Sequence, residues 1–271
     1  MTSTDSSTNP FSVFGRHRSL AIELTKREVL GRYRGASFGL LWSLISPFLM
    51  LMVYTMAFGY ILKSRWPGTD GSTTDFALIL FVGLIIHGFF AECLTRAPSL
   101  ILSNANYVKK VVFPLETLVW SMVFSALFHL AMNSLVLLLL QWIWNGQIHL
   151  TTLMLPLVLL PLVILTVAVG WLVAALGVFL RDIGQFVGVL AAAMLFLSSA
   201  IVPVQSLPEH YKWVFYANPL TLIIDQAREV VIWGRQPNWA SLAIYTCVAL
   251  VFAWLSYQLF QKLRRGFADV I

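Results

Sequence analysis

The chain has 271 residues, 59% hydrophobic and only 11% charged, with a mean hydropathy of +0.80. Soluble globular domains carry about a quarter charged residues, so this composition excludes an ordinary soluble fold and makes the bilayer the solvent. The net charge is +6, but Lys and Arg fall in short clusters between apolar runs rather than on an extended basic face, which argues against nucleic acid and for anionic lipid or phosphate as a partner.

The first 38 residues carry six Lys or Arg and no short apolar core ahead of a small-residue cleavage site, so no removable signal peptide is expected. Residues 19–35 are charged and rich in helix formers, with Ile22, Val29 and Tyr33 on one face and Leu20 and Leu24 opposite. That pattern predicts an imperfectly amphipathic helix lying at the membrane interface.

A ruler of about 20 apolar residues per crossing then gives five clear spans and one shorter. They run Gly39–Leu62, Phe76–Leu94, Thr117–Trp142, Leu153–Leu180, Ile183–Val202 and Trp239–Phe260. Only Arg181 and Asp182 separate the fourth from the fifth, so those two helices are antiparallel neighbours. The expected fold is an all-α integral membrane protein in one domain: residues 1–38 a cytoplasmic tail and interface helix, 39–260 a six-span domain with short re-entrant helices before the last span, and 261–271 a cytoplasmic tail.

Positive residues near span ends stay in the cytoplasm. With the N-terminus inside, the inner set is Arg16, Arg18, Lys26, Arg27, Arg32, Arg34, Arg96, Lys109, Lys110, Arg181, Lys262, Arg264 and Arg265, against Lys63, Arg65, Lys212, Arg228 and Arg235 outside. Both termini are therefore expected in the cytoplasm. The outer connections hold Trp66, Trp144, Tyr211, Trp213, Trp233 and Trp239, as an aromatic belt would.

Two connections are more than turns. Arg96–Pro114 carries Asn104, Asn106, Tyr107, Val108, Lys109 and Lys110, enough for one short helix outside the membrane where a soluble protein can dock. Pro203–Pro237 mixes Glu209, Lys212, Asp225, Arg228 and Glu229 with apolar residues and reads as short broken helices dipping back into the bilayer.

The chain lacks its own energy source. A phosphate-cradling loop ends in Gly-Lys-Ser/Thr, yet the only Lys followed by Ser or Thr is Lys63, preceded by Leu62. All twelve acidic residues fall in connections or at span edges, so no midplane carboxylate relays protons. The histidines have no metal-ligand spacing, no catalytic triad is evident, and Cys93 and Cys247 read as packing residues. His129 and Asn133, one turn apart, form a polar patch that either bonds between helices or faces a pathway, and His87 reads as a satisfied packing residue. Aromatics are 14% of the chain. Trp42, Tyr54, Phe58 and Tyr60 on the first span, Phe81, Phe89 and Phe90 on the second, and Phe196 on the fifth are candidates to line a path for sugar rings.

Lys26–Tyr54 (KREVLGRYRGASFGLLWSLISPFLMLMVY), Asn104–Glu116 (NANYVKKVVFPLE), Gly177–Gln185 (GVFLRDIGQ) and the ANPLT stretch together resemble, over nearly the whole chain, permease subunits of ABC-2 type polysaccharide exporters. The resemblance implies a non-enzymatic subunit of a bacterial inner-membrane exporter, a homodimer working with two copies of a separate ATPase that binds ATP and Mg. Its cargo would be a polyprenyl-diphosphate-linked polysaccharide such as O-antigen, capsule or a teichoic acid precursor. Asn104, Asn106, Tyr107, Val108 and Lys109 would form the coupling helix to the ATPase. Arg32, Tyr33 and Arg34 would receive the lipid diphosphate at the cytoplasmic mouth, or serve as lipid anchors, and Trp42, Tyr54, Phe58 and Phe196 would line the channel. An exporter of a small drug or lipid, and a scaffold without transport, are the other readings.

Overall fold

A computed structural model describes residues 15, 17–61, 66–67, 73–109 and 113–271. Arg16, Lys63, Arg65 and Lys110 of the charge count, and residues 1–14 of the expected tail, lie outside the described residues. Among the described residues every regular element is helical.

Helix α1, Arg18–Arg32, packs on the third span, but not by the face that its larger aliphatics suggest. Ala21, Leu24 and Val29 are buried while Ile22 is 57% exposed. The small Ala21 allows close approach, so the stripe at i, i+3 and i+8 goes inward in place of Ile22. The chain then turns through Gly35, whose φ of +87° is left-handed backbone that a side chain disfavours.

Gly39–Ile61 is helical throughout, with α2 (Trp42–Tyr54) at its centre and a π-helical end. The second span is α3, Thr73–Leu100, which runs past the expected Leu94 and so places Arg96 on a helix rather than in a connection. A short turn leads to α4, Ala105–Val108. Then come α5 (Glu116–Asn145), α6 (Leu155–Phe179), α7 (Ile183–Phe196), α8 (Glu209–Ala217), α9 (Pro219–Val231), α10 (Trp239–Arg264) and α11 (Phe267–Val270).

Five of these helical stretches are long and apolar enough to cross a membrane: 39–61, 74–100, 116–145, 150–179 and 239–264. The fifth expected span is represented by α7, whose 14 residues rise about 21 Å against a hydrocarbon core of about 30 Å. His87 Nε2 donates to the Ala191 carbonyl at 2.9 Å, joining α7 to α3 as a packing residue would.

Helix α3 is the hub, in contact with α5, α6, α7 and α9, while α10 lies along α6. Phe81, Phe89 and Phe90 are accordingly 3–4% exposed. They are core residues and not path-lining ones, because neighbouring helices cover the faces of α3 that carry them. Trp171 sits fully buried between Trp120 and Tyr257, edge-on to each. Cys93 is packed, whereas Cys247 is exposed on α10, contrary to the expectation for it.

The segment before α10 does contain short broken helices. Asn218 sits between them and closes the break: its Oδ1 accepts from the Leu220 amide at 3.0 Å, and its Nδ2 donates to the Met194 and Leu197 carbonyls. Arg228, which sequence places among loop charges, is 3% exposed. Its guanidinium donates to the carbonyls of Ile79, Ser199 and Ala200 at 2.6–3.0 Å and lies 4.3 Å from the Trp66 ring centroid.

Candidate functional site

The charged residues of α1 and α3 meet in one cluster at the basic end of the bundle. Glu92, on α3, takes hydrogen bonds from Arg32 of α1 at 2.6 Å and from Arg96, one turn further along α3, at 3.1 Å, both on Oε1. Its Oε2 is 3.2 Å from Nδ1 of His129 on α5, and Arg32 also approaches that nitrogen, at 3.0 Å. Arg96 reaches back to Glu28 of α1 at 2.8 Å. Two guanidinium groups and two carboxylates thus balance, and they tie α1 to two spans.

Burial is what gives the cluster its leverage. His129 is 11% exposed and Glu92 18%, so each polar group depends on its partners in place of water. Burial pushes the Glu28 carboxyl above its ordinary range, while Arg96 opposes the shift. Glu28 Oε2 and His129 Nε2 are buried without a hydrogen-bond partner among the described residues. Tyr33 packs edge-on to the His129 ring at 6.0 Å.

A second link runs from α1 to α4. Arg27 donates to the Tyr107 hydroxyl at 2.9 Å, and the Tyr107 ring stacks on Phe113 with centroids 4.2 Å apart and planes 13° from parallel. Asn104 is half-buried and donates to the Leu100 carbonyl, and Val108 is half-buried against the core. Asn106 and Lys109 are exposed. Of the five residues expected to meet a partner, these two present free surface, while Asn104, Tyr107 and Val108 hold the segment onto the bundle. Arg27, Ser103, Asn104, Asn106 and Tyr107 surround a small polar cavity. Beyond Phe113, the Glu116 carboxylate at the start of α5 accepts from Gln261 and from Arg264 at 2.7 Å, and Arg264 also donates to the Phe113 carbonyl. The end of α10 therefore anchors the far side of the same segment.

The structure distributes the other expected residues widely. Arg32 and Tyr33 belong to the cluster, whereas Arg34 is exposed and outside it. Tyr54 and Phe58 stack on each other at 6.2 Å and pack beside Trp66 and Phe76. Trp42 is half-buried against Phe38, and Phe196 is 64% exposed on α7. Of the five long helices, 39–61 is the least covered, with Met52, Val53, Met56 and Tyr60 each more than half exposed. Asn133 makes no hydrogen bond with the described residues, so of the expected polar pair only His129 bonds between helices.

Residues 20–232 match the family described as ABC-2 type transporter, a stretch that contains all but the first two residues of α1, the ion cluster, α4 and every helix through α9. The chain belongs to the ABC-2 type transporter family. This ABC-2 protein is 25% identical over 253 residues to the O-antigen export system permease protein RfbA of Klebsiella pneumoniae, covering 93% of the chain and 95% of that protein. It is 25% identical over 258 residues to the protein of the same name from Myxococcus xanthus, covering 94% and 96%. It is 26% identical over 239 residues to the polysialic acid transport protein KpsM of Escherichia coli, covering 86% and 90%.

Proposed function

We propose that this ABC-2 protein is the permease of an ATP-driven exporter that moves a lipid-linked polysaccharide, of O-antigen or capsule type, across the bacterial inner membrane. Its relatives named for O-antigen export and polysialic acid transport align along nearly their whole length. The observation that carries the mechanism is that α1 is bonded at once to α4, through Arg27 and Tyr107, and to α3 and α5, through Arg32 and Arg96. Force delivered at α4 therefore has a bonded route to the spans.

On this reading two ATPase subunits bind the cytoplasmic side of a homodimer of the chain, engaging Asn106 and Lys109 of each α4. The helix α1 lies in the interface, α7 with the turn that follows it makes the fifth of six crossings, and α8 and α9 re-enter from outside. The sparsely covered face of 39–61 and the exposed side of α7, including Phe196, meet the partner protomer and the polymer. Arg32 receives the diphosphate head group in the place Glu92 holds. Guanidinium binds phosphate as it binds carboxylate, and Glu92 keeps Arg96 and His129 when Arg32 is taken.

The test is co-expression with ABC ATPase subunits from the source organism, in a strain deleted for its own permease. Surface polysaccharide should return with the unaltered chain. It should fall with Asn106→Ala combined with Lys109→Ala, together with loss of ATPase co-purification. Failure of any ATPase to associate would refute the exporter reading.

A further inference from the structure

At the opposite end of the bundle from α4, Trp66 and Pro67, Gln205 from the turn between α7 and α8, and Trp233 and Arg235 after α9 line a cavity of about 370 Å³. The larger cavities against α5 and α2 are lined almost wholly by apolar side chains, aromatic ones included, and carry no charged group, as lipid-facing helix surfaces produce. This one combines two indoles with an amide and a guanidinium. We propose that it is a saccharide-binding site, one that holds a sugar unit of the polymer on its way out of the permease; the origin of the sugar rests on the function proposed above.

The geometry differs from that of an interfacial aromatic belt, in which each tryptophan faces lipid independently. Trp66 is only 8% exposed, wedged between the buried Arg228 guanidinium and Phe76. Trp233 is fixed by its backbone N–H, which donates to the Arg228 carbonyl at 3.1 Å. Gly234 then takes a φ of +65°, with the His149 ring where a Cβ would stand, and this turn brings the Arg235 amide back to the Glu229 carbonyl at 2.8 Å. The Arg235 guanidinium lies 3.8 Å from the Glu229 carboxylate, which steers it while leaving it 71% exposed. Gln205 is exposed at the rim.

The chemistry of such a lining fits a pyranose. A C–H face covers the half-buried Trp233 indole, with Trp66 as the fixed wall beside it, and the hydroxyls need both donors and acceptors, which the Gln205 amide supplies together, with further donors from Arg235. Rigid indoles bind with little loss of side-chain freedom, so a small contact area suffices for weak binding. The volume is at the small end of ligand pockets, about 300–1,000 Å³, matched to one or two sugar rings rather than to a polymer chain. Weak binding also suits a site past which a long polymer must keep moving.

The experiment uses the chain co-purified with its ATPase in nanodiscs. The probe is polysaccharide from the producing strain, cut from its lipid by mild acid, with binding read by saturation-transfer NMR. Trp233→Ala and Gln205→Ala should each weaken binding roughly tenfold, about 1.4 kcal/mol. Trp213→Ala, which removes an exposed indole of α8 outside the cavity, should leave it unchanged. Equal binding by all variants, or none by the unaltered complex, overturns the site. Export is scored separately. Normal export with binding indifferent to Trp233 discards the site and keeps the exporter reading, whereas Trp233-dependent binding without export by the unaltered complex does the reverse.

Discussion

Glu92 and His129 lie 37 residues apart on different helices, and their side chains meet at 3.2 Å beneath Arg32. The carboxylate is the centre of the cluster, because Arg32 and Arg96 both donate to its Oε1 while His129 takes its Oε2. Glu92→Gln keeps the shape but removes the charge. Arg32 loses its carboxylate acceptor and Arg96 one of its two, so α1 should loosen from α3. Hydrogen exchange across residues 18–32 should accelerate, and ATP turnover in the assembled complex should become less dependent on substrate. Unchanged exchange over α1 would mean that apolar packing on α5, with the Arg96–Glu28 and Arg27–Tyr107 contacts, holds the helix without Glu92.

The Arg27–Tyr107 bond can be cut without disturbing the fold. Tyr107→Phe retains the stack on Phe113 and loses only the hydroxyl acceptor, a change of about 0.5–1.5 kcal/mol at a partly exposed site. ATPase co-purification should persist while polysaccharide export falls. Combining it with Arg27→Ala should add little to either single change, since both remove the same link. Additive losses would show that the two residues act separately.

Arg228 should be intolerant of substitution. It is buried and donates to three carbonyls contributed by α3 and the turn after α7, so Arg228→Met leaves all three buried acceptors open. Removing one side of such a buried polar cluster costs about 3–5 kcal/mol. Arg228→Lys keeps the charge but cannot fork to three acceptors. Both variants should lower the midpoint of thermal unfolding and the yield of monodisperse protein, the Met variant more.

These residues mark where the sequence can and cannot be read. Long apolar runs report bilayer crossings because length alone forces them, and the Arg181–Asp182 turn and the short helix at 105–108 follow from breaks in those runs. Hydropathy does not distinguish a helix surrounded by protein from one surrounded by lipid. Phe81, Phe89 and Phe90 therefore read as plausibly path-lining until the neighbours of α3 are known. Glu92 reads as a span-edge charge, and only the pairing of α3 with α5 and α1 reveals what it binds. Arg228 counts as an outer positive charge in any tally, yet its side chain is solvated by carbonyls 28 to 149 residues away. On α1 the misjudged face has a simpler cause: hydrophobic size favoured Ile22, and close packing favoured Ala21.

Close packing also yields the sharpest steric prediction. Gly177 on α6 faces the backbone of Pro98 on α3, and a Cβ at that position would stand 2.2 Å from the Pro98 carbonyl oxygen and 2.7 Å from its Cα. Those are backbone atoms of a helix packed against several neighbours, and no flexible side chain lies at the contact to move aside. Gly177→Ala ordinarily favours a helix by about 1 kcal/mol through backbone entropy. Here the forced separation of α3 and α6 opposes that gain with a penalty of about 1–3 kcal/mol for overpacking, and Gly177→Val increases it. Thermal unfolding should therefore occur at lower temperature for Ala and lower still for Val. Gly188, on α7 with open space where a Cβ would stand, is the control: Gly188→Ala should leave stability unchanged or raise it. A Gly177→Ala protein as stable as the parent would mean that α3 and α6 can part by the missing ångström without loss, as a joint that moves during transport would allow.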